Sequence, residues 1–424
     1  MRFEFFLICI EKGWNHLMSV TSVPPADWLQ TICKSQPIAA EMLARSPEEQ
    51  HRLGYFHTLR EICQQPSTWI CTSELMRQSA PALSRLIEGI SSLTFSGSGS
   101  SDYAGDCVRM ALQRELAINT RAVPGGTLLT HGSRALPIGR PGLMVSLARS
   151  GDSPESVGAL ALMLKIEPKI RHLVLTCNGQ GKLVTTFQDN PKVTAITLDE
   201  LTNDKSLVMT SSFTNLLLAA RFLGLLGHPD RYREVCEHLS GIASDLIHRH
   251  LGTLAEVAKA PFRRVLFLGS GSHFAGAREA ALKMLEMTAG RVSTMCESYL
   301  GLRHGPMSYV QQDTLVMCFL SSHPTLRAYE TDLLLELDKK GLGMRKVIIG
   351  EKIPVELIRG HDAAIECQGL SRLGDEDFTA ICVIAGQLLA FFRSLGEGLR
   401  PDSPSEDGVI SRVVQTFALY CPEP

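Results

Sequence analysis

The sequence predicts an α/β fold: two tandem domains, each a doubly wound sandwich with a mostly parallel sheet. Three observations point there. The chain repeats itself, apolar runs alternate with helical stretches in each copy, and the first run of each copy opens into a Gly/Ser loop. Unbroken apolar runs bounded by turns and separated by helices mark a parallel sheet buried on both faces. Such sheets are wound from strand–helix–strand units.

The repeat comes first. Phe95-Ser96-Gly97-Ser98-Gly99-Ser100 recurs as Phe267-Leu268-Gly269-Ser270-Gly271-Ser272, an offset of 172 from Gly97 to Gly269. Residues 143–150 are echoed at the same offset by residues 315–322, and Ala104-Gly105 recurs one residue tighter as Ala275-Gly276. The expected strands are 93–96, 143–148, 172–177 and 193–198 in copy one, and 264–268, 315–320, 346–349 and 363–367 in copy two. The chain then divides into an N-terminal extension (1–26), a helical segment plus first domain (27–226), a linker helix (227–260), a second domain (261–395) and a tail (396–424). Gly227-His228-Pro229-Asp230 breaks the helix before the linker. The start of the tail is rich in Gly, Pro, Ser and acids, which predicts a loop or flexible arm.

Composition narrows the function. Hydrophobic residues make up 44% of 424 and charged residues 20%, an ordinary globular balance. A formal net charge of -2 leaves no footprint for nucleic acid. No run reaches the roughly 20 apolar residues of a membrane span, so no membrane partner is expected. The apolar stretch 5–10 is too short for a secretory signal, and Met18 is an alternative start. Twelve scattered cysteines without a Cys-x-x-Cys pair read as reduced thiols of a cytoplasmic protein. His248 and His250 lie two apart and no His-Glu-x-x-His occurs, so neither metal nor cofactor is expected. The dinucleotide fingerprint fails at Asp102 and Phe274, and no Gly-Lys-Ser/Thr is present.

Ligands of such folds sit beyond the carboxyl ends of the strands. There, copy one carries Ser98, Ser100 and Ser101 after its first strand and Arg149, Ser150 and Ser153 after its second. Thr210 and Ser211 open a later helix. Gly99 and Gly151 let the backbone turn tightly, helix N-termini offer free N–H groups, and Arg149 is a possible bidentate clamp for a small anion. The same residue types also make ordinary N-caps and turns.

Copy two differs. Glu279, Lys283 and Glu286 share one face of a strong helix that a glycine stops at Gly290, and Arg303-His304-Gly305-Pro306 displays a histidine downstream. Enolising a sugar needs a carboxylate that moves a proton between neighbouring carbons, and an acid/base to open the ring. The plainer alternative for Glu279–Lys283 is a surface ion pair worth about 0.3–0.5 kcal/mol.

Taken together, the Gly/Ser loops, Arg149-Ser150-Gly151-Asp152-Ser153-Pro154-Glu155-Ser156, residues 281–290, residues 298–306, Ser321-Ser322-His323-Pro324 and Arg412-Val413-Val414-Gln415 resemble the sugar-isomerase (SIS) family. Within it, the chain is similar to tagatose-6-phosphate ketose/aldose isomerases, also described as galactosamine-6-phosphate deaminases/isomerases, from about Trp28 to Val414. It is similar also to the isomerase half of glucosamine-6-phosphate synthase, without room in residues 1–60 for a glutaminase half. The resemblance implies two tandem SIS domains. It also implies a sugar-phosphate substrate, such as galactosamine 6-phosphate converted to tagatose 6-phosphate and ammonia, and a homodimer with sites between subunits. It implies that Glu286 shuttles the proton between C1 and C2, that His304 assists ring opening, and that Glu279 and Lys283 line the site. Ser100, Ser101, Ser150 and Ser153 would then hold phosphate and sugar hydroxyls. Three departures stand out: Ala148 where the family has a serine, Met307 where it has a lysine, and Asn203–Leu207, whose Lys205 is a candidate ligand contact. The alternatives are a non-catalytic sugar-phosphate sensor, or the same chemistry on glucosamine 6-phosphate or a fructosamine phosphate.

Overall fold

A computed structural model describes residues 28–137, 139–405, 407–415 and 417–420. The expected extension 1–26 and the Met18 start lie outside them. Two parallel five-stranded sheets form the frame. The first contains β1 (Ser92–Ser96), β2 (Asn119–Ala122), β3 (Gly142–Ala148), β4 (Ile170–Thr176) and β5 (Val193–Thr197) in the order β2-β1-β3-β4-β5. The second contains β6 (Arg264–Leu268), β7 (Ser293–Glu297), β8 (Thr314–Phe319), β9 (Arg345–Gly350) and β10 (Ala363–Glu366) in the order β10-β9-β8-β6-β7. Read from the first strand of each half, the two orders are the same. Strands β1 and β3 are buried along their whole length because helices cover both faces.

Each half has five strands where the apolar runs predict four. The unpredicted β2 and β7 are edge strands of sequence Asn-Thr-Arg-Ala and Ser-Thr-Met-Cys-Glu. Both begin exposed and carry polar or charged residues, so no apolar run announces them.

Six helices between Trp28 and Ile87 pack on the first half. The Pro229–Ala258 helix, which the polar sequence suggests as a linker, buries Tyr232, Cys236, Leu239, Ala243, Leu246 and Leu251 in the shared core. Beside it lies the Asp375–Gly396 helix, where Gly386 permits close crossing: a Cβ there would stand 2.7 Å from Ala280 Cβ. By length and a mean hydropathy of 1.7 that helix is apolar enough to cross a membrane, contrary to the expectation that no run came close. Its apolar window is 89% buried inside the protein, where it serves as the central core helix.

Buried charge joins the halves. Arg221 Nε donates to Asp377 Oδ1 at 2.8 Å, and its two Nη atoms donate to Glu115 at 2.6 and 2.8 Å. Every described cysteine is a free thiol.

Candidate active site

In each half the strand order reverses between the first and third strands, which is where a doubly wound sheet opens a crevice. In the first half, the loops leaving β1 and β3 there carry Ser98–Ser101 and Arg149–Ser153. Gly99 takes φ 57° and ψ -127°, a conformation that favours glycine, and starts the Ser100–Leu116 helix. Gly151 takes φ 70° before the Pro154–Ile166 helix. The positive ends of both helices face one cavity of about 1000 Å³.

Ser98, Ser100, Ser101, Ser150, Ser153 and Ser156 line this cavity. Ser150 Oγ accepts from Asp152 N at 3.2 Å, which leaves its own hydroxyl hydrogen to donate. The opposite wall is the Ser272–Met287 helix of the second half, through Leu282, Leu285 and Glu286. Its Glu279–Lys283–Glu286 face is no surface ion pair. The side chains of Glu279 and Lys283 are 0% exposed, and 23% of the Glu286 side chain remains open. Lys283 Nζ stands 3.5 Å from Glu279 Oε1, 3.0 Å from Ser100 Oγ and in a short hydrogen bond to Glu286 Oε2.

Burial alone would lower the Lys283 pKa, but Glu279 and Glu286 outweigh it and hold the ammonium above its ordinary value. Burial pushes Glu279 up to about 8, against the pull of Lys283 and with the repulsion of Glu286. Burial thus works against the charged form of Glu279, while Lys283 is held as an ammonium. Lys283 thereby fixes one oxygen of a carboxylate whose remainder faces the cavity.

Thr210, Ser211, Lys205 and His304, expected as contacts, fall elsewhere, and Glu279 and Lys283 stand buried behind the cavity lining rather than in it. Thr210 and Ser211 are fully buried outside the cavity, because the anion at their helix N-terminus is internal. Asp204 accepts from the amides of Thr210 (2.7 Å), Ser211 (3.1 Å) and Ser212 (2.9 Å). Lys205 pairs at the surface with Glu200 at 2.5 Å. Arg149 lines the cavity, but both Nη atoms donate to backbone carbonyls, of Ser206 (3.3 Å), Leu207 (2.9 Å) and Arg412, so its fork is not free for a bidentate anion clamp. His304 is exposed and outside the cavity lining. Met307 sits under Lys340, whose Nζ is 3.4 Å from its sulfur.

Residues 405 and 407–415 contribute a wall that the sequence left as a loose arm, with Ser405, Asp407, Ser411 and Arg412 among the lining. Asp402 anchors this segment, taking Thr58 N at 2.7 Å and His57 N at 3.1 Å. Leu207 and Met209 were likewise unforeseen. Only the Arg412–Gln415 motif hinted at a role for the tail.

The second half repeats the geometry of the glycine turn. Gly271 takes φ 57° and ψ -123°, close to Gly99. Yet Ser321 N donates to Glu330 Oε2 at 2.8 Å, Ser322 N donates to Asp375 Oδ1 at 3.2 Å, and Ser321 Oγ donates to Asp375. Two internal carboxylates occupy the donors that correspond to Arg149 and Ser150.

Comparison with known proteins agrees with this architecture. The AgaS protein of Streptomyces coelicolor is 36% identical over 86% of this chain and 95% of its own length. The D-galactosamine-6-phosphate deaminase AgaS of Escherichia coli O157:H7 is 33% identical over 86% of this chain and 95% of its own. The crystal structure of tagatose-6-phosphate ketose/aldose isomerase from Escherichia coli superposes with a TM-score of 0.75 at 31% identity, covering 84% of this chain and 95% of that one. No family model matches the chain.

Proposed function

Because the chain belongs to the AgaS family of galactosamine-6-phosphate deaminases and tagatose-6-phosphate ketose/aldose isomerases, we propose that it converts galactosamine 6-phosphate and water to tagatose 6-phosphate and ammonia. The observation that carries this is Glu286: a carboxylate fastened by a buried lysine on one wall, facing a neutral hydroxyl cradle on the other. The cradle and its two helix ends take the phosphate. In the open-chain aldose, Glu286 removes the proton from C2 and returns it to C1. The electron pair passes through an enolamine and leaves an imine at C2 beside a C1 hydroxymethyl group. Water adds to the imine, ammonia leaves, and the ketose remains, so the net step is a hydrolysis.

Ring opening falls to His304. Its exposure outside the cavity supports a homodimer in which it reaches the cavity of a second copy. A phosphorylated sugar does not cross a bilayer unaided, which suits work in the cytoplasm.

The test is ammonia release, with galactosamine 6-phosphate and glucosamine 6-phosphate compared side by side. The galactosamine epimer should win. No ammonia from either, with binding retained, would leave a non-catalytic sensor. Glu286→Gln should cut turnover by about 10²–10⁴-fold while sugar-phosphate binding persists. Mixing Glu286→Gln with His304→Ala chains should restore activity if His304 works across subunits.

A further inference from the structure

The hydrogen bonds of Arg149 all go to the protein's own backbone. Its side chain is packed away, with 7% of the residue exposed, and it gathers Ser206 O, Leu207 O and Arg412 O on one guanidinium. Arg412 answers from the other side. Its Nε and Nη2 donate to Asp204 O at 2.8 and 2.6 Å, and Nη2 reaches Asn203 Oδ1 at 2.8 Å. The segment 203–207 is therefore gripped between two arginines. Two of its amides are held by Glu61, which accepts from Lys205 N at 2.5 Å and Ser206 N at 3.2 Å.

We propose that Arg149 is a positioning residue: through Arg412 it latches residues 407–415 over the cradle and leaves the phosphate to the neutral donors. A guanidinium presents five N–H groups in a fixed fork, which suits an array of carbonyls. Turning it toward a phosphate would strand three carbonyls, each a costly loss where buried. A lysine keeps the charge but cannot span the array. The latch rests on the proposed function for its phosphate but not for its geometry.

Trypsin reads it directly. Arg400 and Arg412 are the only basic residues after 396, and Arg400 precedes Pro401, which blocks cleavage. Tail release therefore appears as cleavage after Arg412. In full-length protein, Arg149→Lys and Arg149→Met should be cut there at least about tenfold faster than wild type, because a latched segment is cleaved only when it opens. KM for galactosamine 6-phosphate should rise about tenfold with kcat within about threefold. Arg412→Met removes the other arm of the grip while keeping every cradle hydroxyl and should reproduce the KM rise, and the double variant should be no worse than either single one. Unchanged tail protection in Arg149→Lys overturns the proposal. So does a KM that rises in Arg149→Lys but not in Arg412→Met, the mark of a direct phosphate ligand, or a lowered Tm with KM unmoved. If wild type turns over no hexosamine phosphate, the proposed function fails, and trypsin with inorganic phosphate still tests the latch.

Discussion

Lys283 Nζ lies 3.0 Å from Ser100 Oγ, so the ammonium that holds Glu286 in the second half also reaches the first turn of the cradle in the first. Ser100→Ala removes a partner from a fully buried charge. It should destabilise the protein by about 1–3 kcal/mol, read as a shifted denaturant midpoint. Ser101→Ala is the control, since the one contact of its hydroxyl is Met209 sulfur at 3.8 Å, and it should stay within about 0.5 kcal/mol. Equal midpoints for the two variants would contradict the bridge.

The pH dependence of stability should carry a signature of Glu279. Its folded pKa is raised to about 8 by burial, above the ordinary 4.5. Between those values the folded state holds more protons than the unfolded one, so this group's contribution is full below about 4.5 and is lost as pH rises through about 8. Glu279→Gln removes that term. Its Tm should fall less steeply than that of wild type from pH 5 to 9 in parallel melting scans; parallel curves would contradict it.

Ser150 lies in the loop just ahead of one helix and Ser211 opens another, and they should behave differently. Ser150→Ala should raise KM, because Ser150 lines the cavity. Ser211→Ala should leave KM alone, because Ser211 is fully buried beside Asp204. Asp204→Asn should cost about 1–2 kcal/mol as a lost helix cap, measured by denaturation. A KM effect at Ser211 would restore it to the ligand site.

Titration calorimetry should find one sugar phosphate per chain. The second half's equivalent donors already face Glu330 and Asp375. Two equivalents would mean these carboxylates move aside.

The sheets were legible because central parallel strands must be apolar throughout, as the fully buried β3 shows. Strands β2 and β7 were not, since Asn119, Arg121, Ser293 and Glu297 break any apolar run. In the site, the Glu279–Lys283–Glu286 face followed from helical spacing, and the Gly99 turn from the need for positive φ. Periodicity could not say that Lys283 is buried, because burial depends on the other half of the chain. Nor could local motifs separate Ser150 from Ser211: a capped helix N-terminus looks alike whether its anion is a substrate or Asp204. The tail's role was hidden for a related reason. Its partners Thr58, Asn203 and Asp204 are hundreds of residues away.

The Arg221–Asp377 bond has a consequence for how a sugar gets in. It fastens the two halves with a buried charge pair. Separating the halves would break this pair, with Arg221 only 3% open, so a sugar meets two walls tied to each other.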